Sequence, residues 1–295
     1  MFVKSVLLRD VQALRNIRGP ISEGLRGWNF ERPPVRPPLM DVKVSVSAIA
    51  NSTCPMMRDI YLRHVERKQP GDNSATILGK KVHAIFRTIA DDARSIVGSG
   101  TAEEVEDLFL TLIARSKEIL KDEDIRLRRL YEKLAFRIAY ACERFLEEQT
   151  AGQTLQDALN AVLPSSFEYR IKGSSVGLSD GIHVDAMIWG VPIEIKLGKE
   201  KDKHKIALVG YAMAIEASEG YPVDFGILVN VTMNNGNTIR IKDKIVYLDD
   251  ELRSLFIELR DEALEVIASG TDPGMPEKCD ESCYFYEICH GGDVR

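Results

Sequence analysis

The chain has 295 residues, of which 44% are hydrophobic and 28% charged, and 39 Lys and Arg against 45 Asp and Glu give a formal net charge of −6. That length suggests one large domain or two small ones with a sizeable core. No stretch approaches the roughly 18 apolar residues of a bilayer span, and Met1 to Gly19 lacks the apolar run of a signal peptide, so a cytoplasmic protein without membrane association is expected. The acidic balance excludes a global attraction for phosphate backbones, so any nucleic-acid site must be a local basic patch.

The first 40 residues show little periodicity, and the run Arg32-Pro33-Pro34-Val35-Arg36-Pro37-Pro38 reads as an extended arm, because proline fixes φ and lacks the N–H donor. A helix capped by Ser74 is expected through His83 to about Ile96, with Ile77, Leu78, Val82, Ile85, Phe86 and Ile89 at helical spacing. Thr101 followed by Glu104 has the pattern of a capping box for a second helix. Residues 122–148 read as a long third helix with Leu127, Leu130, Leu134, Ile138, Cys142 and Phe145 inward, which makes Cys142 an inert core thiol. Period-two alternation then predicts strands over 167–171, 181–189 and 191–197, with Gly190 in a tight antiparallel turn. A helix over 202–217, a buried strand over 223–231, a short hairpin from 238–241 and 245–248, and a helix over 249–269 stopped at Gly270 complete the pattern. The fold class is α/β, with a mixed central sheet flanked by helices. The expected organisation is an N-terminal extension (1–40), a helical region (41–165), a core (166–270) and a cysteine-bearing segment (271–295).

Two stretches offer a local basic patch. One holds Arg126, Arg128, Arg129, Lys133 and Arg137 against Glu132, and the other holds five lysines from Lys196 to Lys205 against Glu200 and Asp202. A solvated helical face is the alternative for the first.

Strict alternation puts Ile182, Val184, Ala186 and Ile188 on one face, and His183, Asp185, Met187 and Trp189 on the other. Glu194 and Lys196 lie opposite Val191, Ile193, Ile195 and Leu197, so a hairpin can gather Asp185, Glu194 and Lys196. That trio suits phosphodiester hydrolysis. Two carboxylates are hard oxygen ligands for Mg²⁺ or Mn²⁺, which activates water and neutralises charge on the phosphate, and a lysine steadies the transition state. A cross-strand ion pair on a solvated face is the competing reading. His83 could add a nitrogen ligand, His183 shares the face of Asp185, and Tyr211, on the following helix, could contact a phosphate or pack in the core.

The five cysteines are Cys54, Cys142, Cys279, Cys283 and Cys289. An odd number in a chain read as cytosolic argues against a disulfide framework. Cys54, Cys279, Cys283 and Cys289 can hold zinc or a four-iron, four-sulfur (4Fe-4S) cluster. One distant cysteine with three close ones favours the cluster, whose closure of so long a loop would make its role mainly structural.

Taken together, Ser47-Ala48-Ile49, Cys54-Pro55, Arg58-Asp59-Ile60-Tyr61-Leu62, Gly79-Lys80-Lys81-Val82-His83, Gly181-Ile182-His183-Val184-Asp185, Pro192-Ile193-Glu194-Ile195-Lys196 and the three tail cysteines resemble the CRISPR-associated exonucleases of the Cas-four family. Those proteins have a RecB-like (restriction-endonuclease-like) core and an iron–sulfur cluster. The N-terminal stretch, with Gly27-Trp28 and the proline run, is similar to the archaeal Csa-one branch. The resemblance implies a DNA exonuclease, single-strand-preferring, that trims protospacer DNA for the CRISPR integrase complex. It implies that His83, Asp185, Glu194 and the Ile195 carbonyl bind a Mg²⁺ or Mn²⁺ ion, that Lys196 is the catalytic lysine, and that Cys54, Cys279, Cys283 and Cys289 hold a 4Fe-4S cluster. The chain departs from the family pattern at Ala207, where a glutamine usually precedes the tyrosine by one helical turn, and in a first tail gap one residue longer. The missing glutamine motivates a second reading as a catalytically weak DNA- or integrase-binding adaptor. A zinc-stapled nuclease outside CRISPR is a third.

Overall fold

In the computed structural model, residues 4–71, 74–148, 152–199, 201–234, 238–281 and 283–291 are described. Glu200 of the lysine-rich stretch and residues 292–295 of the tail lie outside them. Five strands, β1 (Ser166–Ile171), β2 (Ile182–Ile188), β3 (Val191–Leu197), β4 (Phe225–Met233) and β5 (Ile239–Tyr247), form one sheet in chain order. All neighbours are antiparallel except β3 and β4, which run parallel. A parallel pair needs a crossover, supplied here by the helix Lys203–Glu219 (α8 in chain order). Trp189 and Gly190 both have positive φ, at 51° and 78°, which is the backbone that a two-residue hairpin turn matched to strand twist requires.

Helices cover both faces. On one face lie α4 (Ser74–Gly98), α5 (Val105–Ile119), α6 (Ile125–Glu148) and α7 (Leu155–Val162), with α5 packed on α4 and α6, and Ile89, Leu108, Leu130 and Ile138 share one core with Ile188, Ile193, Ile227 and Val229. Against the other pack α2 (Val46–Asn51), α8 and α9 (Asp250–Ser269), where Val46, Leu208, Phe256 and Leu264 meet Val184 and Leu228. Helix α8 is buried over nearly its whole circumference, because the sheet, α2 and α9 enclose it. The helix α1 (Lys4–Arg18) precedes this body, α3 (Arg58–His64) lies beside α9, and the short α10 (Tyr286–Cys289) ends the tail.

Charges fasten the N-terminal stretch to this frame. The fully buried carboxylate of Glu216 accepts hydrogen bonds from Arg253 Nη1 (2.8 Å) and Nη2 (3.0 Å), Arg26 Nη1 (2.8 Å) and the backbone N–H groups of Gly27 (2.7 Å) and Val223 (3.1 Å). Burial pushes the Glu216 carboxyl up, but Arg253 and these donors outweigh it and hold it below the usual range. The buried Arg260 donates to the carbonyls of Val35 (2.7 Å) and Pro34 (3.3 Å), which seats the proline run.

Several expectations are corrected. Residues 4–18 form a helix within the stretch that lacked periodicity. Thr101 caps nothing: its hydroxyl meets Ser99, and α5 begins after Glu104 without a side-chain cap. The true capping box is Thr154 with Asp157, opening α7, which was not anticipated. The C-terminal hairpin is instead the single strand β5, whose charged middle residues Lys242, Asp243 and Lys244 lie on the sheet edge rather than in a turn. The first basic stretch is spent on structure. Arg126 pairs with Asp124 and Arg128 with Glu132, while Lys133 and Arg137 donate to the Ile239 and Ile241 carbonyls of β5. They cap an edge strand that would otherwise offer free backbone groups.

Candidate active site and thiol cavity

The site begins with a break in strand alternation. Phe167 and Ala186 pack in the core beneath α4–α7, whereas Tyr169 and Val184 pack in the core beneath α8. Residues two apart in a regular strand share a face, so both β1 and β2 turn over between these positions. The ladder keeps its register across the break, Phe167↔Ala186 and Tyr169↔Val184, with Glu168 and Asp185 unpaired between them. Glu168 has φ 50°, the left-handed region that costs a non-glycine residue. This corrects the expectation that Ile182, Val184, Ala186 and Ile188 share one face. Ile182 and Val184 lie in one core, Ala186 and Ile188 in the other.

The turn-over aims Asp185 at β3. Pairing between β2 and β3 ends at Ala186↔Ile193, and beyond it the backbone N–H of Ile195 donates to Asp185 Oδ2 at 2.7 Å. A carboxylate thus replaces a strand partner. A strand residue's C=O points to the same edge as its N–H, so the Ile195 carbonyl faces this opening. From α4, His83 Nδ1 stands 3.3 Å from Asp185 Oδ1. Behind them Glu194, 2% exposed, has its Oε1 2.6 Å from Lys196 Nζ, and its Oε2 accepts from the Tyr211 hydroxyl at 3.1 Å. Tyr211 is buried on α8, one turn after buried Ala207. The exposed His183 receives a hydrogen bond from Arg170 Nε at 3.3 Å.

These groups hold one another's charge. Burial pushes the Glu194 carboxyl up, the charge of Asp185 adds to it, and Lys196 pulls it back. Burial lowers Lys196, but Glu194 and Asp185 outweigh it, so the ammonium stays charged. Burial also lowers His83, yet its hydrogen bond and proximity to Asp185 raise it overall. Burial and the neighbouring carboxylates carry Tyr211 far above its ordinary value, which keeps it a hydroxyl donor.

His83, Asp185, Ile195, Lys196 and His183 line a cleft of about 1580 Å³. Its walls are α4, the turned-over part of β1 and β2, the end of β3, and the tail residues Glu281, Cys283, Tyr284, Tyr286, Glu287 and Ile288. Glu194 is not part of the lining. Carboxylate and carbonyl oxygens are suitable donors for Mg²⁺ or Mn²⁺, so Asp185, Glu194 and the Ile195 carbonyl fit such an ion by type, and the His83 imidazole favours the transition ion of the two. Among the described residues, however, no three His, Cys, Asp or Glu side chains stand in place to hold a metal, and both Glu194 oxygens are engaged by Lys196 and Tyr211.

Cys54, Cys279, Cys283 and Cys289 line a second, small cavity together with Arg58 and Asp59. All four are free thiols, and Cys142 is a fifth, wholly buried in α6. Arg58 is fixed by three hydrogen bonds to Asp272 (2.9, 3.1 and 2.8 Å) and lies against Cys289. Burial pushes the Cys289 thiol up while Arg58 opposes it. Four thiols from two distant segments line one cavity and suit a thiophilic metal or cluster by donor type, although they too are not gathered into a ready ligand set. Cys283 belongs to both cavities. The tail's place in the cleft wall was not foreseen, although the aromatic run Tyr284-Phe285-Tyr286 between the last two cysteines was a visible signal.

Comparison with known proteins places the chain in a family. The family model described as CRISPR-associated exonuclease Csa1 matches residues 1–293. A protein of that name from Saccharolobus solfataricus is 30% identical over 299 residues, covering 98% of this chain and 99% of the relative. Another, from Thermoproteus tenax, is 30% identical over 288 residues, covering 96% and 98%. The chain belongs to the CRISPR-associated exonuclease Csa1 family.

Proposed function

We propose that the protein is a metal-dependent DNA exonuclease with a RecB-like core, akin to the Cas-four family, that acts in the cytoplasm on single-stranded DNA or overhangs to prepare protospacers for the CRISPR integrase complex. The observation that carries this reading is the meeting of His83, Asp185, the Ile195 carbonyl and Lys196 on one cleft wall, with Glu194 behind them. His83, Asp185, Glu194 and the Ile195 carbonyl would hold Mg²⁺ or Mn²⁺, which supplies a Lewis acid for the phosphate and lowers the pKa of water. Asp185, oriented by the Ile195 N–H, presents its carboxylate to the cleft. Lys196 stays protonated beside two carboxylates and gives a fixed positive charge to the phosphate undergoing attack. Tyr211 acts as a positioning residue, holding Glu194 from behind. Cys54, Cys279, Cys283 and Cys289 would hold a 4Fe-4S cluster, or zinc in its place, that ties the tail to the body.

The test is anaerobic purification with iron and zinc analysis, then digestion of end-labelled single-stranded DNA with Mn²⁺ and with EDTA, for wild type and Asp185→Ala. Mn²⁺-dependent degradation lost in the variant is expected. Degradation unchanged by Asp185→Ala would place the activity elsewhere. The adaptor reading draws on Ala207 at the usual glutamine position and on the engaged Glu194. DNA binding with no degradation under any metal would favour it.

A further inference from the structure

We infer that Tyr284 is a base-stacking platform which positions single-stranded DNA in the cleft; this rests on the nuclease reading of the same site and goes beyond it. Tyr284 is a large aromatic left 50% exposed on the cleft wall, while its neighbours are anchored on both sides. Cys283 before it lines the thiol cavity, and Phe285 after it is 2% exposed, packed on Tyr61 and Leu62 with Arg63 over its ring at 5.4 Å. An exposed ring between two fixed residues is pre-organised, so little conformational entropy is lost when a base settles on it. Tyr284 and Lys196 line the same cleft, so a stacked base would lie in the groove that holds the lysine meant to meet the phosphate. Lys80 and Arg87 on α4 line the cleft as well. Stackable aromatic surface with cationic side chains in one groove is the pattern of single-strand binding, because every base has a π-face, whereas paired bases in a duplex are not free to stack outward.

The test uses the full-length protein carrying Asp185→Ala, without divalent metal, so that binding is read and cleavage plays no part. Fluorescence anisotropy gives the Kd for a labelled single strand and for a blunt duplex, and 2-aminopurine in the strand reports stacking through quenching. Adding Tyr284→Ala is expected to weaken single-strand binding about fivefold or more, to remove the quenching, and to leave duplex binding and the circular dichroism spectrum unchanged. Tyr284→Phe, which keeps the ring and loses the hydroxyl, is expected to restore both. Equal single-strand affinity in Tyr284→Ala, or a loss in Tyr284→Phe as large as in the alanine variant, would overturn the platform alone. Parallel losses for single strand and duplex would show damage to the tail rather than to stacking, and would also overturn it. Failure of the parent Asp185→Ala protein to bind the single strand would bring down the nuclease reading with it.

Discussion

Replacing Glu216 by glutamine changes one atom in the centre of the frame and tests how the N-terminal stretch is held. Glu216 accepts from five donors, and its partner Arg253 is wholly buried, with one guanidinium nitrogen at 2.8 Å and another at 3.0 Å. In Glu216→Gln an NH2 group must face donors at one of those two oxygens, and Arg253 loses its counter-charge. Removing one member of a buried pair costs about 3–5 kcal/mol. At about 2–4 °C per kcal/mol for a chain of this order, Tm should fall by roughly 6–20 °C. The measurement is thermal or urea unfolding followed by circular dichroism. The pH dependence gives an internal control. A carboxyl held low in the folded state contributes stability above its unfolded pKa, and that contribution is lost as pH falls through the folded value. The gap between wild type and Glu216→Gln should therefore be full at pH 7 and shrink below the ordinary carboxylate range. A loss under about 1 kcal/mol at pH 7, or a gap that widens in acid, would refute the account of Glu216 as an ionised, fully satisfied hub.

Three further outcomes are expected. A Cβ on Gly27 would lie 2.0 Å from the Met213 carbonyl oxygen, so Gly27→Ala should lose about 1–3 kcal/mol through backbone displacement, and an unchanged unfolding midpoint would contradict the close approach. The Cys142 thiol, pushed up to about 12 by burial, should resist a thiol reagent at pH 8 in native protein treated with a chelator, while Cys54, Cys279, Cys283 and Cys289 react. A fast-reacting thiol mapped to Cys142 by mass spectrometry would oppose this. Lys196→Gln removes the charge beside Glu194 (2.6 Å) and should slow cleavage by about 10²–10³ with DNA binding largely kept; a rate within a few-fold of wild type would remove Lys196 from the chemistry.

The site was legible to the extent that its residues lie on regular strands. Glu194 and Lys196 on β3 alternate as expected against Val191, Ile193 and Ile195, and the 191–197 boundaries agree with the observed strand. The helix ending at Gly270 was legible too, because a glycine at φ 61° leaves a chemical mark on the sequence. Asp185 was located on the right strand but for an incomplete reason. Alternation carries no sign that two strands turn over together at Glu168 and Asp185, since Val184 and Ala186 are apolar on either side. The basic run on α6 was misleading because charge pattern does not reveal partners: those of Lys133 and Arg137, namely Ile239, Ile241 and Asp243, lie about a hundred residues later on β5. Glu216 escaped notice for the same reason, because its donors come from Arg26, Gly27, Val223 and Arg253.

The turn-over of β1 and β2 also bears on synthesis at the ribosome. Strand β2 starts in the core shared with α8 and α9 and finishes in the core shared with α4–α7. Asp185, at the crossing point, can take its place only when both layers have closed on the sheet. One of those layers includes α9, which ends at Ser269, and the cleft needs the tail beyond it. A nascent chain that has already emerged as far as His83, Asp185 and Lys196 therefore still lacks the closed cleft, which is complete only once the tail has followed.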